Sequence, residues 1–120
     1  LNQGGHVTET IGWAAIDRGM ANAGDIIIEG GVTSDKFTHQ TNSHQFINSF
    51  STSPTLLTKL TTYDGADTAN SRITSLDSFG FGAIVQEEKS ADNEINHTSE
   101  SLSYLAFGGA SGLLSGTYII

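Results

Sequence analysis

Hydrophobic and polar residues alternate along much of the chain in short runs, and glycines or polar clusters separate one run from the next. A period of two marks strands that present one face to a core. The runs predict strands over residues 7–16, 26–29, 32–38, 44–50, 55–63, 72–77, 81–88 and 97–107, with a further apolar run at 116–120. In the first, Val7, Ile11, Trp13 and Ala15 share a face. In the fourth, Phe46 and Phe50 do. In the fifth, Leu56 and Leu60 lie opposite Leu57 and Tyr63. Gly30-Gly31 predicts a tight turn or bulge, residues 17–25 a small-residue loop, and Ser78 to Gly80 the turn of a hairpin. Short alternating runs with regular turn signals define the fold class as all-β, an antiparallel β-sandwich of about six to seven strands.

One run repeats. His6-Val7-Thr8-Glu9-Thr10-Ile11-Gly12-Trp13-Ala14-Ala15-Ile16 matches His97-Thr98-Ser99-Glu100-Ser101-Leu102-Ser103-Tyr104-Leu105-Ala106-Phe107, 91 residues later. The histidine, the glutamate and one alanine are identical, and most other positions keep their chemical type. A glycine-containing stretch and then an apolar run follow each copy. A period this long is one small domain rather than a solenoid repeat. The expected organisation is a terminal strand and linker at 1–25, echoing the end of a preceding repeat. A complete sandwich follows at 26–109, then a linker and the first strand of a following repeat at 110–120. The chain opens at Leu1 without an initiator Met or a signal peptide, as expected of a mature or excised part of something longer.

Composition narrows the partners. Thirteen acidic residues against five basic ones give a formal net charge of −8. Such a surface repels phosphate backbones and anionic lipid, so neither nucleic acid nor membrane insertion is expected. It suits neutral glycans or divalent cations. No apolar run reaches the ~20 residues of a membrane span. The absence of cysteine removes disulfides and thiolate zinc from the account. Few charges, 15% of the chain, with many Gly, Ser, Thr and Asn residues, accompany strands rather than helices. An extracellular or cell-surface location is the expectation, which the absence of cysteine leaves open.

From Phe46 to Phe107 the order of features resembles the H-type lectin domain: Phe46-Ile47-Asn48-Ser49-Phe50, Pro54, Leu56-Leu57, Thr61, Arg72, Gly80-Phe81 and Ser103-Tyr104-Leu105-Ala106-Phe107. The resemblance implies an antiparallel sandwich that often assembles as a trimer and binds N-acetylgalactosamine-type sugars. Arg72 falls where the family places an arginine that reaches the ligand. The family's aromatic and histidine contacts fall instead on Glu88 and Lys89, which places the sugar specificity, though not the fold, in doubt.

Two acidic loops carry the remaining chemistry. Asp64, Asp67 and Asn70 sit near Arg72 in sequence, and the four are the expected carbohydrate-binding set. Arginine offers a rigid fork of donors to hydroxyl oxygens, and loops at a sandwich end are common recognition ground. Glu87, Glu88, Asp92 and Glu94 are the expected metal ligands, with calcium as the ion, because clustered carboxylates on a loop can supply its six to eight oxygens. The competing reading is a solvated acidic rim. Glu9 and Glu100 alternate with core positions, so each needs a partner if it points inward, with Arg72 or a histidine as the candidates. His6, His39, His44 and His97 show no zinc spacing. No nucleophile elbow or phosphate loop is present, and no enzyme is expected. The expected function is lectin-like: a carbohydrate-binding or adhesive module of a large extracellular repeat protein, engaging a glycan or cell-surface polysaccharide. It would self-associate as a trimer or by strand sharing. The alternative is a repeat domain that builds a stalk or filament by strand sharing without a sugar.

Overall fold

The computed structural model describes residues 7–13, 15–87 and 95–109. Seven strands occur among them: β1 (Gly19–Ala23), β2 (Ile26–Val32), β3 (Asn42–Gln45), β4 (Thr55–Leu60), β5 (Ala69–Leu76), β6 (Gly80–Glu87) and β7 (Leu102–Gly109). They form two antiparallel sheets, ordered β1-β2-β7-β4 and β3-β6-β5. The fold is all-β, as the alternation predicts, and the core lies between the sheets. No described helix is long and apolar enough to cross a membrane.

The core follows from the alternation in β4, β6 and β7. In β7, Leu102, Tyr104 and Ala106 point inward and are buried, while Ser103, Leu105 and Phe107 lie on the other face, half-buried. Leu56 and Leu60 of β4 face them across the same sheet, and Phe81, Ala83 and Val85 of β6 close the core from the other. Aromatic rings dominate: Phe46 meets Phe50 edge-on at 5.0 Å, and His44 lies 4.9 Å from Tyr104. Such pairs add about 0.5–1.5 kcal/mol each beyond the area they bury.

The strand expected over 32–38 is absent, with only Phe37 bridging to Glu100, and four further expected elements differ, each for a physical reason. Residues 7–13, 15 and 16 lie outside every strand, and Val7, Ile11 and Trp13 are 79%, 80% and 85% exposed. The position between β2 and β4 is filled by β7, and only the end of the run, Ala15 and Ile16, lies against the sheet. Residues 19–23, read as linker, form β1. The sequence Gly-Met-Ala-Asn-Ala has no alternating apolar face to mark a strand, and antiparallel pairing with β2 holds it. Gly30-Gly31 makes no turn, and β2 runs through to Val32. Gly31 is needed for close approach: a Cβ there would stand 2.7 Å from the Tyr104 ring and hydroxyl. Phe46 and Phe50 are buried as expected but follow β3 rather than belonging to it. Their amides donate to the carbonyls of Phe79 (2.9 Å) and Ser78 (2.8 Å).

β4 and β5 are consecutive but belong to different sheets, so residues 61–68 cross from one sheet to the other over the end of the sandwich. Thr58 and Ser71 bridge the two strands through their hydroxyls at 2.9 Å. This crossing brings the first acidic loop over the segment that leads into β7.

Candidate functional site

Glu100 sits two residues before β7 and is 1% exposed. Its backbone is fixed by an isolated bridge to Phe37: the Glu100 amide donates to the Phe37 carbonyl at 2.8 Å, and the Phe37 amide returns the bond at 3.1 Å. The carboxylate therefore points under the 61–68 crossing, where donors converge on it. The Thr62 hydroxyl donates to Oε2 at 2.5 Å, and the amides of Asp64 and Gly65 donate to Oε1 at 2.8 and 3.0 Å. Thr62 Oγ1 also accepts the Ser101 amide at 2.8 Å, which fixes the hydroxyl's direction.

His97 completes the cluster. Its Nδ1 lies 2.6 Å from Glu87 Oε1 and its Nε2 lies 3.0 Å from Glu100 Oε1. Only the imidazolium donates from both nitrogens, so the two carboxylates select the charged ring. Burial alone would lower the histidine's pKa, but the hydrogen bonds and charges of Glu87 and Glu100 outweigh it and hold the ring above its ordinary 6.5. Burial likewise works to raise the Glu100 pKa, and the bonds from Thr62, Gly65, His97 and Asp64 bring it below its ordinary 4.5. A Cβ on Gly65 would overlap the His97 ring, standing 2.7 Å from Nε2.

Above this floor opens a cleft of about 320 Å³, and His97 and Glu100 lie among its lining residues. Tyr63, Ala66, Asp67 and Thr68 line it from the crossing loop. Tyr63 is 68% exposed; Trp13 and Phe79 are exposed too, but of these three rings it is the one that lines this cleft. Two further pockets, of about 430 and 490 Å³, lie against the outer face of the four-stranded sheet and are bordered by residues 15–18.

The sequence-selected residues separate here. Asp67 lines the cleft, and Asp64 contributes its backbone amide to Glu100. Asn70 and Arg72 occupy exposed alternate positions of β5, and Arg72 Nη1 donates to Gln86 Oε1 at 3.3 Å on that strand's outward face. Arg72 is not among the cleft residues and does not partner Glu100; His97 does. Of the expected calcium ligands, Glu87 turns inward to His97, while Glu88, Asp92 and Glu94 lie outside the described residues. Among the described residues no three His, Cys, Asp or Glu side chains are grouped to hold a metal ion.

Thr62, Tyr63 and Gly65 were not singled out as site residues by sequence reasoning. The signal was present: a polar-glycine loop immediately after a strand, with an inward glutamate and a histidine three residues before it elsewhere in the chain. Glu29 was missed as well. It is fully buried in β2, where its Oε1 accepts the Ile47 amide at 2.9 Å and the Tyr104 hydroxyl at 2.8 Å. No protein-family model matches the chain, and no match is found among curated proteins or solved structures.

Proposed function

We propose that this domain is a lectin-like, non-catalytic adhesive module of an extracellular repeat protein, and that it takes a neutral glycan in the Tyr63 cleft. The observation that carries the reading is the cleft's make-up: an exposed ring and the Asp67 side of the crossing loop above a floor made rigid by the Glu100 cluster. A sugar offers an apolar C–H face to a ring and hydroxyl hydrogens to a carboxylate, and small concave sites commonly combine apolar walls with a few fixed polar groups. A neutral ligand is also the class that a net charge of −8 does not repel.

The test is a glycan array followed by titration of the retained sugars. Tyr63→Ala is expected to weaken binding about tenfold or more, the loss of ~1.4 kcal/mol that one stacking contact supplies. Asp67→Asn is expected to weaken it less, and Arg72→Ala to leave it unchanged. Arg72→Ala abolishing binding while Tyr63→Ala does not would move the site to the outer face of β5. An array with no glycan above background would overturn the reading.

A further inference from the structure

The two copies of the echoed run have opposite fates. In the second copy Glu100, Leu102, Tyr104 and Ala106 point into the sandwich, 1%, 0%, 7% and 0% exposed. In the first, their counterparts Glu9, Ile11, Trp13 and Ala15 are all exposed. The same inward-facing pattern is written twice and seated once. Exposed apolar side chains at alternate positions of an unpaired segment form a ready strand for another sheet.

The seat of the second copy specifies what the first requires. β7 lies between β2 and β4 and bonds to both. Side chains of the second copy are received by Thr62 and the Asp64 and Gly65 amides, which take Glu100 just before β7, and by Glu29, which takes the Tyr104 hydroxyl. Every one of these partners lies outside β7, in parts of the fold that a second unit of the same kind would also own. Glu9 repeats the carboxylate that the amides hold. Trp13 repeats the ring, and its indole N–H is a donor as the tyrosine hydroxyl is.

A glycine with positive φ follows each copy closely, though the two are offset by one position: at the 91-residue spacing Gly109 aligns with Arg18 rather than with Gly19. Gly109, two residues after Phe107, has φ 118°, and Gly19, three residues after Ile16, has φ 122°. Residues with side chains rarely adopt that conformation, and it stands at the end of both copies. After the first copy the chain turns at Gly19 directly into β1. Ile16 is already anchored on this unit, because a Cβ on Gly30 would meet its Cδ1 at 2.6 Å. A strand seated elsewhere would therefore join this sandwich with almost no linker.

From these observations we infer that residues 7–15 are a donor strand that completes a second unit of this fold, entering between that unit's β2 and β4 where β7 lies here, with Ile16 as the joint. Main-chain ladders on both sides give the joint its affinity, and the alternating Glu9, Ile11, Trp13 and Ala15 set its register. The joint needs a second unit whose own β7 seat is vacant, since the unit here fills that seat with its own strand. The inference stands apart from the glycan reading and does not use the Tyr63 cleft.

Two experiments test it. In the first, residues 97–107 are replaced by the sequence of residues 6–16 in a chain that also carries Trp13→Phe. The only indole then sits in the β7 seat, since the parent chain has one Trp. Cooperative unfolding and tryptophan emission shifted to shorter wavelength than in the parent are expected, while the same graft moved by one residue should fail to fold. If neither graft folds, or both behave alike, the equivalence is overturned.

In the second, the full chain carrying Leu102→Asp, which spoils its own β7, is mixed with unaltered chain. A complex in sedimentation is expected, with Trp13 emission moving to shorter wavelength and both effects lost when the donor carries Ile11→Asp. No complex, or one that survives Ile11→Asp, would overturn the docking even where the graft folds.

Discussion

Glu100 and Glu29 are both buried in the sandwich, but their surroundings answer the same problem in different ways. At Glu100 both oxygens are occupied: Thr62 on Oε2, and two amides with the His97 ring on Oε1. A second carboxylate, Glu87, holds the far side of the histidine. At Glu29 both donors, the Ile47 amide and the Tyr104 hydroxyl, converge on Oε1, and Oε2 is buried with no partner. The first carboxylate organises a loop, a strand entry and the floor of a cleft. The second joins β2, β7 and the residue after Phe46 across the core. Their difference lies in how much of each site depends on the negative charge.

Removing the Glu100 side chain should have the largest effect. Glu100→Ala leaves the amides of Asp64 and Gly65, the Thr62 hydroxyl and a buried imidazole without their acceptor. Breaking one side of a buried ion pair costs about 3–5 kcal/mol, a large share of the ~5–15 kcal/mol that holds a domain folded. A urea melt should show a midpoint lowered accordingly, with its slope unchanged. A midpoint within error of the parent's would mean that the cluster is not holding the loop.

Gly65 probes the same region from the loop side. Gly65→Ala places a methyl group against the His97 ring, and overpacking of this kind costs about 1–3 kcal/mol. It should also loosen the ring from Glu87 and Glu100, so the His97 pKa, followed by NMR, should fall back toward 6.5. Unchanged stability and an unchanged titration would show that the loop gives way without disturbing the cluster.

The pH dependence is smaller and its sign separates the regions. His97 has a raised pKa in the folded state, so its contribution is complete below about 6.5 and is lost as pH rises through the folded value. Glu100 has a lowered pKa, so its contribution is complete above about 4.5 and is lost as pH falls through the folded value. The cluster is therefore most stabilising between those two limits. His44, beside Tyr104 and nearer Glu29, behaves in the opposite sense to His97. Burial first, and then Lys36, lower its pKa against an opposing pull from Glu29, so it opposes folding as pH falls below 6.5. Melting temperatures across pH 6.5–9 should decline for the parent and decline less for His97→Gln. Equal slopes would remove His97 from the account.

The two regions also differ in how far the sequence discloses them. Glu100 alternates with Leu102 and Tyr104 in a long apolar run, so period two alone marks it as an inward carboxylate in need of a partner. Its amide donors could not be read in the same way, because they depend on the 61–68 loop crossing between sheets, a tertiary event without local periodicity. Glu29 follows three isoleucines and precedes two glycines, so it reads as the polar end of a strand. It becomes interior only because Gly31 lets the Tyr104 ring lie against β2 and extends the strand past the expected turn. The all-β class survives such errors, because alternation in β4, β6 and β7 defines the core whatever happens at strand ends. Alternation alone does not disclose that Asp67 and Arg72, five residues apart, fall on a loop and on an outward strand face.

The smallest expected effect sharpens the contrast most. Glu29→Gln keeps Oε1 as an acceptor for the Ile47 amide and the Tyr104 hydroxyl, both of which already converge there. Burial, followed by the bond to Glu29, pushes the Tyr104 pKa well above its ordinary 10, so its hydroxyl remains a donor at any ordinary pH. The amide group takes the place of an oxygen that has no partner, so no existing bond is broken. Bonds to a neutral acceptor are weaker than those to a charged one, by about 1 kcal/mol each, and two new N–H groups are left without acceptors. Against this, the substitution removes the carboxyl group whose Oε2 is buried without a partner, and any cost of charge there. These opposing terms should leave Glu29→Gln within about 1 kcal/mol of the parent, the range of an ordinary tolerated change. Glu100→Gln, by contrast, sets an amide where Thr62 or the loop amides need an acceptor and removes the charge that faces His97, so it should lose well over that amount. Paired denaturant melts of the two variants decide the matter. If Glu29→Gln costs as much as Glu100→Gln, the charge at Glu29 matters as much as at Glu100, and its orphaned oxygen has a partner in solution, an ordered water being the simplest.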